Sequence, residues 1–205
     1  MNITRAFQAA DPSLRLRAAL AAGTDADPAY LVPLMERMGD EPDFFVRDML
    51  TWAITRYPVS ETFPLLIEVL NDPQARSQAR SQALHTLSKI QAPGTWEVLT
   101  TPMLHHPDVA FRTAAWRVAV AVVPHAERAA LAVELVAELG RGDEDTQRSL
   151  SRALAELDDE VRPLLATVIA HAQATQAYLD DPEGGIAGHL HEARRVAALG
   201  PFAQN

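Results

Sequence analysis

Four side chains suited to strong contacts with a partner occupy one position of a repeating sequence pattern. They are an aromatic ring, an imidazole and two guanidinium groups: Trp52, His85, Arg117 and Arg152. Tryptophan and arginine are the residues most enriched among the side chains that dominate binding energy at protein interfaces. A guanidinium binds a planar carboxylate or phosphate through two parallel hydrogen bonds. The row therefore predicts a binding site.

The pattern that aligns these residues occurs five times. In most copies a proline, or a glycine in its place, stands five residues before an arginine, or before its substitute Gln147, and apolar or small residues follow three, seven and ten positions later. The third copy carries two extra residues before Arg80, and Gly23 shortens the first copy, Pro12–Arg17–Leu20. The anchors at 17, 47, 80, 112 and 147 are 30, 33, 32 and 35 residues apart. A period in this range indicates stacked supersecondary units.

Two further rows lie beside the first, one and eight residues after each anchor. The first row, Trp52, His85, Arg117 and Arg152, lies five residues after its anchors. At 100° per residue, positions one, five and eight residues after an anchor face away from the apolar stripe of the helix. The alternative is that Trp52 packs against a neighbouring helix and the other residues form an ordinary solvated face. We expect the partner to bind through the following residues: Asp48, Trp52, Thr55, Ser81, His85, Thr113, Arg117, Arg148 and Arg152.

The sequence contains no convincing reaction centre. Of the seven histidines, His105 and His106 are adjacent in a predicted turn, and His189 and His191 are two residues apart, a spacing that does not share a helix face. No HExxH spacing, glycine-rich phosphate loop or Ser/His/Asp pattern occurs. We therefore expect no catalytic residue, no metal and no cofactor.

The composition argues against several other classes of protein. With a net charge of −9 and a pI of about 5.2, the chain lacks the density of cations that nucleic-acid binding requires. The absence of cysteine excludes disulfides, thiolate metal sites and thiol catalysis. No apolar stretch is long enough to span a membrane, and no signal segment is visible, so we expect a cytoplasmic protein.

Nearly every segment has the 3.6-residue period of an amphipathic helix, and none alternates with period two. The apolar stripe predicts burial of Leu50, Ile54, Leu87, Ile90, Val118, Leu150 and Leu154. The anchor arginine lies beside this stripe, where its head can reach a carboxylate of the adjacent unit. We expect six helix pairs: 3–9 with 13–22, 28–38 with 43–57, 61–70 with 74–90, 94–105 with 108–123, 125–140 with 144–157, and 159–176 with 186–199.

The second helix of each unit resembles the second helix of HEAT repeats. The segments EPDFFVRDMLTWAI, QARSQALHTLSKI and HPDVAFRTAAWRVA carry that family's turn, its Val-Arg and its apolar spacing, although not every copy carries each feature. The chain is also similar to small actinobacterial HEAT-repeat proteins. The resemblance implies an all-α, right-handed α-solenoid of about five to six antiparallel helix pairs. We expect a single domain over 1–205, with a capping pair at 1–23, stacked repeats at 28–176 and a capping helix at 186–199.

HEAT repeats commonly serve as protein-binding scaffolds, so the resemblance implies a non-catalytic, monomeric scaffold or adaptor. A protein or peptide partner is expected on the concave face, which the second helices line. The alternative is a HEAT-like DNA-repair enzyme of the alkylpurine DNA glycosylase type. Those enzymes use a basic concave face with aromatic residues and a carboxylate, which Trp52, Trp116, Arg117 and Asp48 imitate. The acidic charge of the chain opposes this alternative.

Overall fold

The computed structural model describes residues 3–180, which fold into α-helices and short 3-10 turns without any strand. This confirms the expected all-α class. The predicted loop at 180–185 falls almost entirely, and the capping helix at 186–199 wholly, outside the described residues. The helices are α1 (Ile3–Ala6), α2 (Pro12–Asp25), α3 (Leu31–Asp40), α4 (Phe44–Ile54), α5 (Val59–Asn71), α6 (Ser77–Ile90), α7 (Thr101–Leu104), α8 (Val109–Val122), α9 (Arg128–Val136), α10 (Glu144–Ala155) and α11 (Asp158–Asp180).

Helix packing follows the order of the chain. Each odd-numbered helix from α1 to α9 contacts the even-numbered helix that follows it. The even-numbered helices also contact one another in succession, α2 with α4, α4 with α6, α6 with α8 and α8 with α10, and α11 packs against α9 and α10. Residues at matching positions of α4, α6, α8 and α10 are therefore carried by neighbouring helices.

An aspartate begins most of the even-numbered helices. The carboxylates of Asp43, Asp108 and Asp143 each accept a hydrogen bond from the backbone N–H three residues later, at 3.1, 2.9 and 2.9 Å, and Asp11 accepts from the N–H two residues later. These bonds satisfy amides that have no partner within the helix. Helix α6 is the exception, since Arg76 occupies its capping position without a side-chain bond.

The anchor side chain lies four residues after the cap and binds the loop that precedes its own helix. Arg15, Arg47 and Arg112 donate to the carbonyl six residues earlier, at 2.8, 2.8 and 2.7 Å, and Gln147 contacts the corresponding carbonyl of Arg141. In the third unit, where the loop is longer, Arg80 donates to Leu70 at 3.0 Å. The repeated arginine is therefore a structural clamp on the turn between the two helices.

The predicted register of the first unit is wrong by two residues. Arg15 is the buried clamp, whereas Arg17 is exposed and donates only to Ser13 of its own helix. With Arg15 as the anchor, the first spacing becomes 32 rather than 30 residues. Gly23 does not end this copy either, because α2 continues to Asp25. A Cβ at Gly23 would lie 2.7 Å from the Ala53 backbone, so the glycine allows α2 and α4 to approach closely.

The core is close to the predicted set. Leu50, Ile54, Leu87, Val118, Leu150 and Leu154 are buried, as expected. Ile90 is only half-buried, because it is the last residue of α6 and Gln91 turns the chain into a left-handed conformation with φ of 48°. Trp116 and Phe111 are the large side chains that fill α8's side of the core.

Three first helices are shorter than predicted, and in the first pair α1 ends at Ala6 instead of residue 9. In place of a helix over 94–105, the chain forms a 3-10 turn at Trp96–Val98 and the four-residue α7, with an extended Leu99 between them. Pro102 lacks the N–H that a continuous helix needs. Over 125–140 the helix ends at Val136, and tighter turns lead to Gly140, whose φ is 75°. This early end turns Glu138 into the interior.

Candidate binding site on the second-helix face

We call the exposed sides of α4, α6, α8 and α10 the second-helix face. Helices α8 and α10 form most of the wall of an open cavity of about 520 Å³ on this face. Three of the predicted residues line it, namely Thr113 and Arg117 from α8 and Arg152 from α10. The two arginines occupy the same position of successive units, and the contact between α8 and α10 brings them to one cavity.

Neither arginine of the cavity forms an ion pair within residues 3–180. Arg117 contacts only the ring of His85, with Nη1 lying 3.4 Å from Nδ1. Both guanidinium groups are on exposed residues, and they retain donors that can bind an acceptor from solution. Many of the other arginines are already paired with a carboxylate: Arg15, Arg37, Arg76, Arg112, Arg128, Arg141, Arg148 and Arg162.

His85 extends the polar part of the face onto α6. Burial lowers the pKa of His85, and the charges of Arg117 and Lys89 lower it further, against an opposing effect of Asp48. The ring is therefore neutral at physiological pH and accepts the hydrogen bond from Arg117. The structure thus brings His85, Thr113, Arg117 and Arg152 together, with Asp48 close enough to act on His85 electrostatically.

Trp52 is both packed and exposed. One edge of its ring lies against Gly23 of α2, where an added Cβ would come within 2.6 Å of Cζ3, yet 37% of the residue remains accessible. The guanidinium carbon of Arg56 lies 5.8 Å from the ring centroid. One part of the ring is therefore packed between helices and another part is accessible, so truncating Trp52 would weaken helix packing as well as any contact with a partner.

Two predicted residues do not contribute a free polar group to this face, and a third, Thr55, keeps only the acceptor capacity of its hydroxyl. Ser81 is only 6% exposed, and its hydroxyl has no hydrogen-bond partner, because α6 packs closely on its neighbours here. Arg148 binds Glu144 and Asp145 of its own helix, both at 2.7 Å. The hydroxyl of Thr55 donates to the carbonyl of Trp52 at 2.7 Å.

The sequence interpretation missed other residues of the site. Gln91, Ser149 and Glu156 line the cavity between α8 and α10. Phe45 is 71% exposed and packs edge-on against Phe44 at a centroid distance of 5.6 Å. Phe45 lies seven residues before Trp52, on the same side of α4, so helical periodicity was a signal that could have found it.

Other types of site find no support within residues 3–180. There is no group of three or more acidic or histidine side chains placed to hold a metal ion in this part of the chain. Among the same residues, no helix is both long and apolar enough to cross a bilayer. Trp116, which the glycosylase alternative would use to stack a base, is 1% exposed and donates its ring N–H to Leu104 at 2.8 Å.

A comparison of the chain with models of known protein families and with curated proteins found no match.

Proposed function

We propose that the protein is a HEAT-repeat α-solenoid that acts as a non-catalytic scaffold or adaptor and binds a protein or peptide on the concave face lined by its second helices. The repeated cap and clamp, together with the succession of contacts between even-numbered helices, support the solenoid. As part of the same proposal, the protein works as a monomer in the cytoplasm. Light scattering coupled to size-exclusion chromatography tests the monomer.

The observation that carries the binding function is the pair Arg117 and Arg152. In a chain with a net charge of −9, two exposed guanidinium groups without an ion pair in residues 3–180 line one cavity. Elsewhere the described arginines are mostly clamped to carbonyls or paired with carboxylates. Exposed arginines of this kind are frequent anchors of protein interfaces.

Affinity capture with quantitative mass spectrometry from the organism that makes the protein tests the proposal. The bait is compared with the double variant Arg117→Ala/Arg152→Ala and with Arg148→Ala as a matched control. Arg148 lies on α10 like Arg152, but it is held by two carboxylates of its own helix. We expect a partner that the wild type and Arg148→Ala retain and that the double variant loses.

A partner retained equally by all three proteins would place the interface outside the cavity between α8 and α10. Once the partner is known, Arg117→Ala should weaken binding by roughly 1–3 kcal/mol. Duplex DNA serves as the competing ligand in the same titration. Micromolar DNA binding that weakens steeply with salt would favour the DNA-repair enzyme instead.

A further inference from the structure

We infer that the partner of the second-helix face presents an acidic peptide segment, whose carboxylates bind Arg117 and Arg152 in the cavity between α8 and α10. The inference rests on the proposed function and specifies the class of partner. Both guanidinium groups face one cavity of about 520 Å³ and have no carboxylate partner among the described residues. A carboxylate satisfies a guanidinium with two parallel, charge-assisted hydrogen bonds.

The spacing of the two arginines suits side chains on one face of an extended peptide. Packed helices lie about 8–10 Å apart, and Arg117 and Arg152 occupy the same position on two such neighbours. In an extended chain, alternate side chains share a face and lie roughly 7 Å apart. The long, flexible arginine side chains can span the difference. Glutamates or aspartates two residues apart therefore match the pair.

The rest of the cavity wall fits a peptide backbone. Thr113 donates its hydroxyl hydrogen to the carbonyl of Val109 at 2.9 Å, which leaves its oxygen free to accept an N–H. Gln91 adds an amide, and Val120 and Ala153 add apolar surface to the same wall. Small-molecule and peptide sites combine apolar walls with a few polar groups in this way.

Charge favours a short acidic peptide over a nucleic acid. Glu144 and Asp145 are exposed on α10 outside the cavity, and their shared partner Arg148 neutralises only one of these two charges. A nucleic acid would carry phosphates beyond the cavity onto this acidic surface, which repels them. A peptide with two carboxylates needs only the two arginines.

Fluorescence anisotropy with synthetic peptides tests the inference. The probes are fluorescein-labelled peptides of equal length with glutamate, glutamine or lysine at every second position. We expect the glutamate peptide to bind the wild type and the glutamine peptide to bind at least roughly tenfold more weakly. The lysine peptide should not bind. Arg117→Ala and Arg152→Ala should each weaken the glutamate peptide by roughly tenfold, whereas Arg148→Ala should not.

Several results would overturn the inference. They are absence of glutamate-peptide binding at low ionic strength, equal binding of the glutamine peptide, an equal loss in Arg148→Ala, or equally tight binding of a single-stranded DNA of matched length. Failure of this inference can be distinguished from failure of the proposed function. If a captured partner depends on Trp52 or Phe45 but is retained by Arg117→Ala/Arg152→Ala, the face still binds a partner and only the acidic class is wrong.

Discussion

Within residues 3–180 the fold buries two carboxylates at two different junctions between units, and their surroundings differ. Glu41 lies where α2 meets the turn between α3 and α4, and Glu138 lies where α8 meets the turn between α9 and α10. Both are almost fully buried, and both face the clamp arginine of the preceding unit. The expected reach of the anchor arginine to a carboxylate of the adjacent unit is therefore seen in Arg15 and Arg112.

Glu41 is neutralised by groups that stay charged at every physiological pH. Arg15 binds both of its oxygens at 2.7 Å, Arg37 donates at 2.8 Å, and the backbone N–H of Asp43 donates at 2.9 Å. Burial alone would raise the pKa of Glu41, but these hydrogen bonds outweigh it and hold the pKa below its usual value. The stability contributed by this group is lost only in acid, as pH falls through that lowered pKa.

The buried charge of Glu138 is balanced in part by a histidine, in contrast to that of Glu41. His105 Nδ1 lies 2.6 Å from Glu138, and its Nε2 lies 2.7 Å from Glu134. Arg141 donates to Glu138 at 3.0 Å, but the clamp Arg112 remains 3.5 Å away and its Nε has no hydrogen-bond partner. Since a carboxylate only accepts, both ring nitrogens of His105 must carry a proton to donate, so the geometry is that of an imidazolium.

The comparison shows that equivalent clamps can give junctions with different pH responses. The hydrogen bonds to Glu138 and then to Glu134 raise the pKa of His105, against the opposing effect of burial. Because the pKa of His105 is higher in the folded state, protonation of this ring stabilises the fold. The stabilisation is complete below the unfolded-state pKa of about 6.5 and is lost as pH rises through the folded-state pKa. The Glu41 junction has no such dependence near neutral pH.

The largest effect is expected from Glu41→Gln. The change removes the carboxylate that Arg15 binds through two hydrogen bonds, and a buried charge without its partner typically destabilises by about 3–5 kcal/mol. The free energy of unfolding from denaturant titration measures it. Arg148→Ala is the control, because its exposed ion pairs contribute at most about 0.5 kcal/mol. A loss below about 1 kcal/mol would show that the Glu41 network is dispensable.

His105→Gln should have the next largest effect. Glutamine can donate one hydrogen bond to Glu138 but brings no charge, so about 1.5–3 kcal/mol of stability should be lost at pH 6, the range for hydrogen bonds to charged groups. At a pH above the raised pKa of His105 the loss should be clearly smaller, because the wild-type histidine is then neutral. An equal loss at both pH values would mean that His105 acts only through packing.

The wild-type protein should become less stable as pH rises above about 6.5, in the window set by the raised pKa of His105. The titration of His85 changes stability with pH in the opposite direction and in a lower pH range. Its pKa is lowered, mainly by burial, so its contribution is lost as pH falls below about 6.5. Thermal melts across this range measure both effects, and His105→Gln should flatten the upper part of the curve only. A wild-type curve that is flat above pH 6.5 would contradict the assignment.

The sequence allowed part of this contrast to be predicted. The 3.6-residue period and the anchor spacing located most helices and the clamps Arg47, Arg80 and Arg112, because both depend on local geometry. The clamp of the first unit was placed at Arg17, two residues after the true clamp Arg15. The two buried carboxylates were not foreseen, since Glu138 turns inward only where α9 ends at Val136. The shared offset of Arg117 and Arg152 indicated that they lie on one face, but the cavity between α8 and α10 was not predicted, because Glu156 and Gln91 join it through contacts between helices that periodicity does not describe.

The smallest effect is expected from Glu134→Gln, and it separates the two carboxylates that face His105. Glu134 is partly exposed, so losing its ion pair should lower stability by less than about 1 kcal/mol. After Glu138, Glu134 makes the largest contribution to the raised pKa of His105 through its hydrogen bond. The His105 ring should therefore titrate at a lower pH in the variant than in the wild type. NMR titration of the His105 ring protons measures the shift, and the fall in stability should begin at a correspondingly lower pH. If the ring titrates unchanged in Glu134→Gln, Glu138 alone sets the pKa of His105, and the contrast with Glu41 then depends on a single buried carboxylate rather than on a pair.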